Sequence, residues 1–122
     1  MSKVRGIRGA TTANSNEKDE VFNATSELLA ELVRANDIDA DDVAAAFFTT
    51  TPDLNADFPA AAARLMGWTY VALLDAVEID VPGSQSMCIR TLILVNTDKR
   101  ADELVNVYLR EAANLRQWRV ED

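Results

Sequence analysis

The alternation of apolar and polar positions divides the chain into strands and helices. Val4 to Thr11 reads as a first strand, with Val4, Gly6, Arg8 and Ala10 on one face at period two. Asn14-Ser15-Asn16 is a loop that offers helix caps. From Glu17 to Asn36 the apolar residues Val21, Phe22, Leu28, Leu29, Leu32 and Val33 recur at helical spacing, with acids on the opposite face. Asp39 is placed to cap a short turn at Ala40-Asp41-Asp42. Val43 to Thr51 is a continuous apolar and threonine-rich run, as in a buried strand, and Thr51-Pro52-Asp53-Leu54-Asn55 ends it. Pro59 suits the first position of a second helix, Ala60 to Met66, and Gly67 suits its C-terminal cap.

Trp68 to Asp75 reads as another strand, which Val77 to Val81 extends or pairs with, before a turn at Pro82-Gly83-Ser84. Met87 to Thr97 is a strong strand. Asp98 can cap a last helix from about Arg100 to Asn114, where Ala101, Leu104, Tyr108, Ala112 and Leu115 share a face. The order β-α-β-α-β-β-β-α predicts one α+β domain over residues 1–122, a mixed sheet with helices on one face and a frayed tail over about 117–122. In the late strand Cys88, Arg90, Leu92 and Leu94 alternate with Met87, Ile89, Thr91, Ile93 and Val95, so both faces are largely apolar. Self-association is the simplest way to cover the second face.

Composition narrows the chemistry. The chain has 122 residues, 48% of them apolar and 26% charged, which suits a single globular domain. No apolar run approaches the roughly 18 residues of a membrane span, and the N-terminus lacks the apolar stretch of a signal peptide; a cytoplasmic protein is expected. With no histidine, Ser-His-Asp and Cys-His catalysis and histidine-based metal sites are excluded. The single cysteine, Cys88, rules out a thiolate zinc cluster and an intrachain disulfide. The net charge of −8 is concentrated in residues 17–42, which carry a net −7. Without a basic stripe, nucleic-acid binding is not expected. Nine of the twelve bases are Arg, the residue suited to gripping carboxylates in a partly buried site.

Arg90 is the most informative residue. Inside an apolar strand its guanidinium needs an anion, either an internal carboxylate or an anionic ligand. Arg8 lies between Gly6 and Ala10, whose small side chains leave space beside it; it is equally an exposed strand residue. Tyr108 is a core tyrosine or a ligand contact, and Glu78 a polar strand position or a site acid. Asp75 and Glu78 are three apart, so a straight strand puts them on opposite faces. Cys88 reads as a small buried apolar residue, and Phe58-Pro59 as packing at a helix start. Two strand arginines, a tyrosine and a carboxylate, without a nucleophile–base pair, suit a site that binds a small multi-carboxylate molecule and stabilises charge without covalent chemistry.

An ordered set of short segments carries a resemblance. It comprises Val4-Arg5-Gly6-Ile7-Arg8-Gly9-Ala10-Thr11-Thr12, Thr51-Pro52-Asp53-Leu54, Phe58-Pro59-Ala60, Gly67-Trp68-Thr69-Tyr70-Val71, Glu78-Ile79-Asp80-Val81, Cys88-Ile89-Arg90, Val107-Tyr108-Leu109 and Leu115-Arg116. The chain resembles the monofunctional chorismate mutases of the trimeric α/β class found in bacilli. The resemblance implies a homotrimer forming a pseudo α/β barrel, with active sites at subunit interfaces. It implies rearrangement of chorismate to prephenate in aromatic amino acid biosynthesis, with no cofactor or metal. Arg8 and Tyr108 would hold the side-chain carboxylate, Arg90 would reach the ether oxygen and that carboxylate, and Glu78 would accept the ring hydroxyl. Leu73, Leu74, Asp75, Ala76, Val77 and Glu78 would line the substrate, and Phe58, Ala60, Arg64, Leu115 and Arg116 would border the pocket.

The chain departs from that pattern twice. Ala61 stands where the family often has a lysine, leaving Arg64 as the remaining cation for the ring carboxylate. Asp75 stands where a cysteine is common, beside the ring hydroxyl that Glu78 would accept. Two acids there would resist joint ionisation, so one should be protonated or turned away. Two other readings compete. One is a trimeric enamine/imine deaminase-like enzyme, whose motifs are not visible in the chain. The other is a non-catalytic module that binds chorismate-like acids.

Overall fold

A computed structural model describes residues 2–115. Arg116 and the expected tail lie outside them. The strands are β1 (Lys3–Thr12), β2 (Val43–Thr50), β3 (Ala72–Val77), β4 (Cys88–Thr97) and β5 (Val107–Tyr108); the α-helices are α1 (Lys18–Asn36) and α2 (Pro59–Leu65). Short 3₁₀ turns cover Ala40–Asp42, Ala101–Glu103 and Arg110–Ala113. The five strands form one sheet in the order β3-β2-β4-β1-β5. β4 runs antiparallel to β1 and β2, while β3 is parallel to β2 and β5 to β1, so the sheet is mixed. The fold is α+β, as the element order predicts.

The core lies between the helices and one face of the sheet. Ile7, Phe48, Ile93 and Val95 from the strands meet Leu28, Leu29 and Leu32 of α1, Ala60 and Ala63 of α2, and Trp68. α1 follows the amphipathic spacing of its sequence, with Val21, Leu28, Leu29 and Leu32 fully buried. It can lie this close to β1 because position 9 has no side chain. A Cβ there would stand 2.8 Å from Leu32 Cδ1 and 3.1 Å from Leu28 Cδ1. Asp39 caps the Ala40–Asp42 turn as expected, accepting from Asp41 N–H at 3.0 Å. No helix among the described residues is long and apolar enough to cross a membrane.

Three expectations fail. The largest is the helix from Arg100 to Asn114, which is absent: two 3₁₀ turns flank the short strand β5 instead. Tertiary partners override the helical spacing. Gly9 and Ala10 on the free edge of β1 pair in parallel with Val107 and Tyr108. Buried Asn36 exchanges two hydrogen bonds with Val105, at 2.9 and 2.7 Å. Val105, Asn106, Val107 and Tyr108 are weak helix formers, so little is lost. Asp98 consequently caps no helix; Arg100 precedes the first 3₁₀ turn.

The strand expected from Trp68 starts only at Ala72. Trp68 still belongs to the end of α2: its N–H donates to the Ala63 carbonyl at 3.1 Å, beyond Gly67 at φ +97°. Beyond Val77 the chain also leaves the sheet, so Val77 to Val81 neither extends β3 nor forms a further strand. Glu78 N–H makes one last bond to the Thr50 carbonyl, at 2.9 Å.

Candidate active site on the open sheet face

Strand alternation sends the remaining side chains to the face without helices, where register aligns them in rows. Ala72, Ala45, Leu94 and Gly6 form one row, and Leu74, Phe47, Leu92 and Arg8 the next. Ala76, Thr49, Arg90, Ala10 and Tyr108 form the third. Apart from Arg8 the middle row is apolar yet exposed: Leu74 is 58%, Phe47 37% and Leu92 39% accessible.

The third row holds the charged centre. Arg90 Nε lies 3.1 Å from Glu78 Oε1. That contact is an ion pair without hydrogen-bond alignment, since the Nε itself is buried and has no hydrogen-bond acceptor. The need of a strand-embedded guanidinium for an anion is therefore met, in the single chain, by Glu78. Glu78 is held in turn by Thr49, whose hydroxyl donates to Oε1 at 2.9 Å. Thr49 did not stand out in the sequence. The signal was its register: a hydroxyl in the strand that flanks the late-strand arginine. The pair is not sealed, because the Arg90 side chain stays 38% exposed.

Local bonds fix the start of β4 and so aim Arg90. Thr51 Oγ1 accepts from Cys88 N–H at 3.0 Å, and Asp53 Oδ2 accepts from Met87 N–H at 2.9 Å. The Thr51-Pro52-Asp53 segment thus clamps the residues just before Arg90, where Met87 adopts φ 52°. Cys88 is buried, which pushes its thiol upward in pKa against the opposing pull of Arg90. It stays a neutral thiol at neutral pH.

Arg8 projects from the neighbouring row, exposed, and makes no ion pair among the described residues. Its backbone is fixed by Asn106, whose Oδ1 accepts the Arg8 N–H at 2.9 Å. Tyr108 comes from β5, not from a helix, and packs with Leu115 against Ala10, Cys88 and Ala112. The C-terminal segment is fastened by Arg110 at φ 53°, which donates to the Thr12 carbonyl at 2.9 Å and to Glu27 at 3.1 Å.

The other residues singled out in the sequence lie on the far side of the sheet or at its edge. Ala60 is buried in α2, Leu73 packs against the helix-side core, and Phe58 (63% accessible) and Arg64 are exposed. Ala76 and Val77 are exposed on β3. Asp75 pairs in register with Phe48, on the helix face, and its Oδ1 accepts the Ala60 N–H at 3.0 Å. It is turned away from Glu78. Burial raises its carboxyl above the ordinary value and Asp57 adds to the rise, while the Ala60 N–H and Arg64 pull it down. One chain thus separates the candidate residues into two groups. Arg8, Glu78, Arg90 and Tyr108 stand on the open face, and Phe58, Ala60, Arg64 and Asp75 gather about α2. Among the described residues no three metal-ligating side chains converge.

Comparison with known proteins agrees along most of the chain. The family model described as chorismate mutase type I matches residues 4–118. The chain is 48% identical over 114 residues to chorismate mutase AroH of Thermus thermophilus, spanning 93% of each chain. It is 40% identical over 114 residues to chorismate mutase AroH of Bacillus subtilis (strain 168), spanning 93% of this chain and 90% of that one. The solved structure of a chorismate mutase from Clostridium thermocellum superposes with a TM-score of 0.88 at 49% identity, covering 89% of this chain and 97% of the other. With the family model, the curated relatives and the superposed structure in agreement, this chain belongs to the chorismate mutase type I family.

Proposed function

We propose that the chain catalyses the rearrangement of chorismate to prephenate at the open-face centre, as part of a homotrimer. The observation that carries this reading is the Arg90–Glu78 pair, standing half-open among exposed apolar residues instead of closed in the core. A concerted rearrangement breaks a C–O bond and forms a C–C bond within one molecule. It needs no nucleophile and no acid–base pair, so a histidine-free chain can perform it. It does need the substrate held in a folded conformation and a fixed positive group where the ether oxygen gains negative charge.

Each residue then has a role. Arg90, oriented by Glu78, presents its remaining N–H groups to the ether oxygen. Glu78 accepts the ring hydroxyl while Thr49 keeps its carboxylate in place. Arg8, without an acid of its own, and Tyr108 take the side-chain carboxylate. Leu74 and Ala76 give the wall of the pocket on the strand side.

The two groups of residues lie on opposite sides of one sheet, so a substrate touching both must sit between two copies of the chain. That arrangement also covers Phe47, Leu74 and Leu92, which a lone chain leaves in water. Phe58, Ala60 and Arg64 of one copy would then close the site built by another.

The test follows the loss of chorismate's ultraviolet absorbance. The parent protein should turn chorismate over. Arg90→Ala should lower kcat by about a hundredfold or more, the scale of losing one preorganised donor. Arg90→Lys should also be poor, since a lysine lacks the guanidinium fork. Near-parental turnover in Arg90→Ala would remove Arg90 from the mechanism.

A further inference from the structure

Helix α2 begins without a cap of its own. A Ser, Thr, Asp or Asn before the first helical residue ordinarily accepts one of the orphan amides of the first turn. Here that place belongs to Phe58, which makes no side-chain cap. Pro59 has no amide to satisfy, and Ala61 N–H returns to the Phe58 carbonyl at 3.0 Å. Ala60 is left as the buried donor that needs an acceptor from elsewhere, and Asp75 Oδ1 supplies it at 3.0 Å. The acceptor comes from β3, 15 residues further along the chain. It sits on the helix side of the sheet, opposite the face that carries Glu78 and Arg90.

We propose that Asp75 is a positioning residue: it caps α2 from the adjacent strand and so fixes the wall made by Phe58, Ala60 and Arg64, without touching the reacting molecule. The inference rests on the reading that this wall borders the substrate. The backbone turn that carries Phe58 and Ala60 is the first turn of a helix only seven residues long, and Arg64 follows in its last turn. A helix so short has little stability of its own, so one bond at its start decides whether that turn is formed. Glu78 follows three residues on, just past the end of the same strand, so the bond ties the wall to the segment that leads to the charged centre.

The experiment measures kcat and KM for chorismate with Asp75→Ala, Asp75→Asn and Phe58→Ala in the full-length enzyme, with amide hydrogen exchange at Ala60 alongside. Asp75→Ala removes the acceptor. KM should rise about five- to tenfold while kcat stays within about twofold of the parent, the scale of a lost cap felt in binding. Asp75→Asn keeps an oxygen at the same place and should bring KM back to within about twofold of the parent. Ala60 exchange should quicken in the alanine variant and not in the asparagine one. Should Asp75→Ala fail to fold, the asparagine variant decides: a near-parental KM and a protected Ala60 amide support the cap.

An asparagine variant in which kcat collapses would place the carboxylate on the substrate and overturn the proposal. So would an alanine variant with parental KM and a protected Ala60 amide. Phe58→Ala separates the two levels. If it raises KM and Asp75→Ala does not, this inference alone falls. If it leaves KM unchanged, the reading that α2 borders the substrate falls, and the inference with it.

Discussion

The two faces of the sheet are built from the same strands and have opposite fates. On the helix side the large apolar side chains of the central strands β1, β2 and β4 are sealed: Ile7, Ile89 and Ile93 are wholly buried and Phe48 is 1% accessible. On the other side the alternate residues of those strands include two arginines, a glycine and apolar groups left in water. Phe47 and Phe48 show the difference within one dipeptide, at 37% and 1% accessible. A strand with both faces apolar signals two layers of cover, and a lone chain supplies only one. The covered face makes the fold; the open face carries the ion pair and the surface that a second copy would complete.

Truncating the two phenylalanines should break this comparison most sharply. Phe48→Ala should destabilise the protein by about 3–5 kcal/mol, because it leaves a cavity in a closed core. That loss should not depend on protein concentration. Phe47→Ala removes a ring that only an assembled partner would bury, so its penalty should be largest at high concentration and shrink as the protein is diluted and the copies separate. Thermal melts over a range of concentrations, with sedimentation to read the mass, would check both. A concentration-independent loss for Phe47→Ala would argue that the open face stays bare in solution.

Gly9→Ala tests the covered face with the smallest possible addition. The new methyl would meet Leu32 Cδ1 at 2.8 Å and Leu28 Cδ1 at 3.1 Å, with the Val107 carbonyl at 3.3 Å. Relieving that overlap requires the fully buried Leu32 and Leu28 side chains to give, or α1 or β5 to shift, and a loss of about 1–3 kcal/mol is expected by denaturant titration. Because β5 carries Tyr108, KM for chorismate should rise with it. Gly6→Ala, on the open face, meets Leu92 Cδ1 only at 3.4 Å and should be tolerated.

The sequence made periodic, self-contained elements legible and left partner-dependent ones obscure. α1 and β4 announce themselves, because their spacing reflects burial along their whole length. Residues 100–114 also carry helical spacing, yet what they pack on is the edge of β1 and the side chain of Asn36, and neither is visible locally. For the site, alternation alone placed Arg8 and Arg90 on strand faces, and the family resemblance supplied their proposed roles. The opposition of Asp75 and Glu78 was readable from their separation of three. The Arg90–Glu78 pair, the Thr49 hydroxyl and the Asp75 cap were not readable, since each joins elements whose register only the folded sheet defines.

The smallest expected effect concerns Asp75, the acid on the covered face. Burial, reinforced by Asp57, raises its carboxyl above the ordinary value, against the Ala60 N–H and Arg64. A carboxyl whose folded pKa exceeds its unfolded one binds protons more tightly in the fold. Its ionised form therefore weighs against folding at neutral pH, and the protein recovers that loss as pH falls through the folded pKa toward the unfolded one. Asp75→Asn keeps the acceptor for Ala60 and removes the charge. The variant should melt at or slightly above the parent at pH 7, by no more than a few °C, with the gap narrowing toward about pH 4. Melts of both proteins across that range check it. A variant that melts below the parent at pH 7, with the difference shrinking in acid, would mean that Arg64 holds the carboxylate more strongly than burial opposes it. Asp75 would then be a charge partner as well as a cap, and the covered face would hold an ion pair of its own.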